Sequence, residues 1–98
     1  AIIRVHSEEE ALAVANDSEY GLSAAVYSRD SARAWNVAQR LHTGICHING
    51  PTVHDEAQMP FGGCKASGYG RFGGRAGIAE FTELRWITIQ TQPRELPF

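Results

Sequence analysis

Two cysteines, four histidines and a glycine-rich run are the residues of this sequence best equipped for chemistry. Cys64 lies between Gly63 and Lys65, and a neighbouring cation lowers a thiol's pKa toward the reactive thiolate. No histidine or other base stands beside it in the sequence, so an incidental loop cysteine is the stronger reading. Cys46, in an apolar stretch, reads as core. His42, Cys46, His47 and His54 raise a metal hypothesis. Cys46 and His47 are neighbours on an expected strand, however, and would point to opposite faces. Neither a Cys-x-x-Cys pair nor a His-Glu-x-x-His helix supports them, so no metal site is assigned. Asp55 and Glu56 are adjacent acids in a loop, an arrangement more often solvated than catalytic.

Gly68-Tyr69-Gly70-Arg71-Phe72-Gly73 matches the G-x-G-x-x-G dinucleotide fingerprint. That fingerprint works only between a strand and the helix whose N-terminus receives the pyrophosphate. Here the preceding residues, Phe61 to Ser67, are themselves loop, and no acidic residue ends a following parallel strand. The glycines are better explained by a shaped loop, where they permit positive φ. No cofactor-binding residue and no catalytic residue is assigned within the chain.

The elements that must position these groups follow from the hydrophobic pattern. Ile2 to Val5 is apolar and β-branched and reads as a buried strand. Ser7 with Glu10 fits a capping box for a helix that runs through Ala11 to Ala15 and frays at Asn16-Asp17-Ser18. Tyr20-Gly21-Leu22 turns into a second strand, Ser23 to Ser28. Asp30 or Ser31 caps a second helix, with Ala34, Trp35, Val37, Ala38 and Leu41 on its apolar face and Arg33 and Arg40 toward water. Gly44 stands where a helix C-terminal cap belongs. A third strand, Ile45 to Asn49, follows. Strand, helix, strand, helix, strand with short connections predicts α/β architecture with parallel crossovers.

After Asn49 the pattern stops. Seven of the ten glycines fall within residues 62–77, and residues 50–74 form a connection longer than the usual limit of about 12–15. Loops of that length are usually functional or disordered. A short helix around Arg75 to Glu83 and a β-rich tail from Leu84 to Thr91 close the pattern, and Pro93 and Pro97 end any strand. Trp86 to Ile89 reads either as a buried strand or as an edge strand that needs a partner.

Composition bounds the possibilities. The chain has 98 residues, 43% hydrophobic and 20% charged, ordinary values for a globular domain. A net charge of −2 removes the electrostatic case for nucleic acid. No apolar run approaches the roughly 20 residues of a membrane helix. Two cysteines make no disulfide framework, which fits reduced thiols in a cytoplasmic setting. Ala1 to Val5 starts abruptly inside an expected strand, without a methionine or a signal-peptide pattern, as an excised piece would.

Several stretches together resemble the aldehyde dehydrogenase superfamily. They are Glu9-Glu10-Ala11 with Ala15-Asn16-Asp17, Tyr20 to Ala24, Thr43-Gly44-Ile45 with Asn49, Pro60 to Arg71, and Phe81-Thr82-Glu83-Leu84. Their order and spacing run nearly the whole length. Residues 49–56 and 84–89 are most similar to the branch acting on aromatic aldehydes such as vanillin, benzaldehyde or salicylaldehyde.

The resemblance implies a C-terminal piece of a larger enzyme that oxidises an aldehyde to the acid with NAD or NADP. Residues 1–84 would be the last part of an open, mostly parallel sheet with helices, and residues 85–98 an oligomerisation strand and tail. In the family a cysteine thiolate attacks the aldehyde and a glutamate activates water, with an asparagine and a backbone N–H at the oxyanion. All of these would lie ahead of Ala1, as would the residues that hold most of the cofactor. Cys64 falls at a variable position of the family's Pro-Phe-Gly-Gly loop, which argues against it as nucleophile. Phe61 matches the aromatic that lines the substrate tunnel, and Val53, His54 and Asp55 fall in the loop at its outer end. Trp86, Ile87, Thr88, Ile89 and Gln90 match a strand that crosses to a neighbouring subunit of a dimer or tetramer. The competing reading is a stand-alone oligomerising α/β domain without catalysis; a nucleotide-binding module built on residues 68–70 is a third.

Overall fold

The computed structural model describes residues 1–97. Helix α1, Glu8–Asn16, starts where the Ser7 Oγ accepts the Glu10 N–H at 3.1 Å. Glu10 returns a bond to the chain before the helix, its Oε2 accepting from the His6 N–H at 2.8 Å. The reciprocal cap expected from the sequence is therefore present, shifted by one residue on its return arm. Glu8, Glu9 and Glu10 occupy the first turn, where the helix dipole favours negative charge. At the other end, Lys65 Nζ donates to the carbonyl of Asn16, the last helical residue, and to that of Ser18 just beyond the helix.

Helix α2, Ser31–Arg40, is capped by Asp30, whose Oδ1 accepts from the Arg33 N–H at 3.0 Å. Its arginines do more than face water. Arg33 Nε meets Glu8 at 2.6 Å, and Arg40 pairs with Glu9. The Arg40 hydrogen bond holds the Glu9 carboxyl below its usual range, and Glu8 and Glu9 raise Arg33 and Arg40 in turn. Glu9, Arg33 and Arg40 stay solvated, so these pairs join the two helices with little gain in stability. Asn16 completes the connection: its Nδ2 donates to the Arg40 carbonyl and its Oδ1 accepts from the His42 N–H.

Strand β1, Tyr20–Gly21, pairs antiparallel with β4, Cys64–Lys65; β2, Ser23–Val26, pairs parallel with β3, Ile45–Ile48. The β2–β3 register runs from Ser23 opposite Ile45 to Val26 opposite Ile48, with α2 as the crossover. Of the two parallel crossovers expected, β2–α2–β3 is thus realised. Helix α3, Gly74–Glu80, begins one residue before the expected start and ends three residues short of the expected end.

Several sequence expectations change. Ile2 to Val5 forms no strand, and Ile2 is fully exposed, because an apolar strand is stable only with a ladder partner and, among the described residues, β2 and β3 pair only with each other. The tail from Leu84 to Thr91 likewise forms no strand. Gly44 is no helix cap, since α2 ends at Arg40 with Leu41 as its cap. Instead, Gly44 lies where a Cβ would overlap the Gly62 carbonyl, so the residue is dictated by backbone contact.

Packing is sparse. Leu12 and Ala34 are the buried apolar residues among those described, at 5% and 1% exposure, while Trp35, expected on the apolar face of α2, is 61% exposed. The radius of gyration is 20.9 Å, against about 13 Å for a compact domain of this length. The extension reflects exposed tail residues with no sheet to join. No helix among the described residues is long and apolar enough to cross a membrane.

The Gly44 contact makes a stability prediction. Gly44→Ala, placed in the polypeptide that carries these residues, should cost on the order of 1–3 kcal/mol, because a backbone carbonyl cannot rotate away as a side chain can. Thermal unfolding measures this, and an unchanged midpoint would show that the approach of residues 44 and 62 is not obligatory.

Candidate functional site

The long connection leaves the sheet at Asn49, which adopts φ 56°. Its side chain clamps the end of β2: Oδ1 accepts from the Ser28 N–H at 2.9 Å and Nδ2 donates to the Ser28 carbonyl at 3.0 Å. An asparagine tolerates this left-handed backbone and supplies both bonds. From there the loop folds back over β3, with Ser23 Oγ holding the Thr52 carbonyl.

A cleft of about 340 Å³ opens between this loop and β3. Gly44 to His47 form one side; His54, Asp55, Glu56, Met59 and Pro60 form the other. Its size lies at the lower end of the small-ligand range. The structure therefore brings His54 and Asp55 to one cleft. Val53 lies outside it and is exposed, and Phe61 is also outside it.

His47, weighed in the sequence only as a metal candidate, stands instead against His54. Its ring meets His54 edge-on, with centroids 5.3 Å apart and planes at 83°, and its Nε2 is buried without a hydrogen-bond partner among the described residues. A polar nitrogen on an otherwise apolar strand was the available signal. His54 Nε2 lies 3.5 Å from a Glu56 carboxylate oxygen, both side chains being about half exposed.

Phe61 is fixed through its backbone. Its N–H donates to the Phe72 carbonyl at 2.8 Å and its carbonyl accepts from the Phe72 N–H at 2.7 Å, an isolated antiparallel bridge. The glycines after it serve close approach: a Cβ at Gly62 would lie 2.9 Å from Arg71 Cδ, and one at Gly63 2.5 Å from Ser67 Cβ. Arg71 Nη1 ties the two segments, donating to the Gly63 and Gly70 carbonyls at 2.8 and 2.9 Å. Ser67 Oγ accepts from the Gly21 N–H at 2.8 Å, anchoring the loop on β1.

Residues 68–73 do not fit a dinucleotide. The Arg71 N–H, which a phosphate would need, is bound to Glu80 Oε1 at 3.0 Å, and the same carboxylate fills the space beside Gly70. A fixed negative charge there repels pyrophosphate, and the preceding β4 is a two-residue antiparallel strand. NAD or NADP has no cradle in this turn.

The thiols are also poorly placed for attack. Cys64 Sγ donates to the His42 and Gly21 carbonyls, at 3.3 and 3.5 Å, and neither acceptor is a base that would take its proton. Burial pushes the Cys46 thiol up, opposite to the shift of an activated nucleophile. Cys46, expected in the core, is only half-buried, because the two-stranded sheet that carries it is not covered on both faces. Among the described residues no three His, Cys, Asp or Glu side chains converge as metal ligands.

Beyond α3 the chain exposes an apolar tail. Trp86 is 91% exposed, and Leu84, Ile87 and Ile89 are likewise open. Thr88 is exposed, and Gln90 Nε2 donates to the Gln92 carbonyl.

The vanillin dehydrogenase of a Pseudomonas species is 66% identical over 96 residues, covering 98% of this chain and 20% of that protein. The solved structure of a salicylaldehyde dehydrogenase from Pseudomonas putida, complexed with salicylaldehyde, superposes with a TM-score of 0.89 at 54% identity, over 98% of this chain and 20% of its own. A Mycobacterium tuberculosis aldehyde dehydrogenase complexed with NAD+ gives 0.75 at 39% identity, over 81% and 16%. The chain thus spans about a fifth of the length of the curated relatives it matches. The model of the aldehyde dehydrogenase family matches residues 1–87, and the chain belongs to that family.

Proposed function

We propose that these residues form the C-terminal portion of the catalytic domain of an enzyme that oxidises an aromatic aldehyde to its acid with NAD or NADP. In this reading residues 1–84 complete that domain and residues 85–98 form an oligomerisation strand and tail. The thiolate, the water-activating glutamate and most cofactor contacts belong to other parts of the polypeptide. The observation that carries the reading is the near-complete coverage of this chain by relatives five times longer, at 66% identity to one named for an aromatic aldehyde. The unsuitable surroundings of Cys46 and Cys64 and the occupied Gly70–Arg71 turn agree with it.

Within the assembled enzyme, Phe61 presents an aromatic face to the substrate, and stacking and burial favour an aromatic ring there. Val53, His54 and Asp55 shape the outer end of the tunnel, the last two from the cleft against β3. Trp86, Ile87, Thr88, Ile89 and Gln90 add a strand to a neighbouring subunit of a homodimer or homotetramer. An exposed apolar segment that joins no sheet among the described residues has strong reason to pair in this way.

The isolated 98-residue chain, mixed with benzaldehyde and NAD+, should show no turnover by absorbance of the reduced cofactor. Turnover at an enzyme-like rate would place the nucleophile inside this chain and reject the reading. A stand-alone oligomerising domain without catalysis is the competing case, and a full-length polypeptide that oxidises aldehydes eliminates it. Phe61→Ala in that polypeptide should weaken kcat/KM for aromatic aldehydes by about 1–3 kcal/mol more than for aliphatic ones, through lost apolar contact. Equal losses would remove Phe61 from the tunnel wall. Deleting residues 86–98 should lower the oligomeric state by gel filtration, and an unchanged elution volume would remove the tail from the interface.

A further inference from the structure

We propose that Glu80 is a positioning residue for Phe61, acting across the Gly70–Arg71 turn. The proposal rests on the reading of Phe61 as a wall of the substrate tunnel. Phe61 is held by two backbone bonds to Phe72, so its placement is only as firm as the segment that carries Phe72. Glu80 reaches back from the last residue of α3 and accepts the N–H of Arg71, the residue before Phe72, at 3.0 Å. Its carboxylate also packs against Gly70, where a Cβ would lie 2.6 Å from Oε2. Gly70 itself has φ 68°, so the turn combines a left-handed glycine with a side-chain anchor.

The start of α3 is fixed separately. Gly73 and Gly74 approach the Met59 and Gln58 carbonyls closely, with a Cβ on Gly74 only 2.6 Å from the latter oxygen. Helix α3 therefore begins against the chain leading into Phe61 and ends with Glu80 on the chain leading into Phe72. A closed ring results, running from residues 57–59 through Phe61, across the bridge to Phe72, and back through α3. Helix α3 buries none of its residues, so little apolar packing substitutes for the Glu80 bond. A carboxylate acceptor makes that bond charge-assisted and stronger than a neutral one.

The test uses the full-length polypeptide carrying these residues, with steady-state kinetics on benzaldehyde and acetaldehyde. Glu80→Ala should raise KM for benzaldehyde about fivefold or more, while kcat and the acetaldehyde KM stay within about twofold. Glu80→Gln retains an acceptor oxygen and should stay within about twofold of the parent on both substrates. Where Glu80→Ala gives no folded enzyme, Glu80→Asp draws the carboxylate back by one methylene and serves the same comparison. Unchanged constants in Glu80→Ala, equal loss on both aldehydes, or a Glu80→Gln variant as impaired as Glu80→Ala would each overturn the proposal. Phe61→Ala is measured beside them. Aromatic-selective loss in Phe61→Ala without one in Glu80→Ala defeats the positioning role alone, whereas no selectivity in Phe61→Ala defeats the tunnel-wall reading and this proposal together.

Discussion

Backbone meets backbone at van der Waals distance where the long connection returns to the strands, and only glycine allows it. Gly44 lies against the Gly62 carbonyl, and Gly63 against the Gly21 carbonyl and Leu22 Cα. Those contacts bring residues 60–67 onto the start of β2 and β3 and permit the short β1–β4 pairing. With little buried apolar area, the molecule relies on them to give the 50–74 segment a defined path. Every polar group named in the site, from Asn49 to Arg71, takes its place from that path.

Polar side chains then secure what the glycines allow. Asn49 closes β2, Ser67 and Lys65 bind the loop to β1 and to the end of α1, and Arg71 joins residues 63 and 70. Nearly all of these bonds end on backbone groups, so they fix chain geometry and leave few side chains free for chemistry. A scaffold of this kind shapes a wall and an edge. It is ill suited to activate a nucleophile, which needs a base or cation beside the sulfur.

The exposed surfaces have a common cause. A two-stranded parallel sheet with half-exposed residues on both strands is unusual, since parallel sheets are normally covered on both faces. Ile2, Trp35 and Trp86 are open for the same reason: their apolar surfaces have no covering layer among the described residues.

Local signals in the sequence determined the elements whose reasons are local. Ser7 with Glu10 and Asp30 set two helix starts through bonds spanning three or four residues, and two short, largely apolar segments with a helix between them became β2, α2 and β3. The collinear motifs determined the family, because they record packing needs across the whole length. Tertiary structure alone decided what depends on distant partners. Gly44 proved to be a contact glycine, Arg33 and Arg40 found Glu8 and Glu9, and His47 emerged against His54. Ile2 to Val5 and Leu84 to Thr91 carry strand-forming residues yet form no strand, since β structure, unlike a helix, takes its hydrogen bonds from another segment of chain.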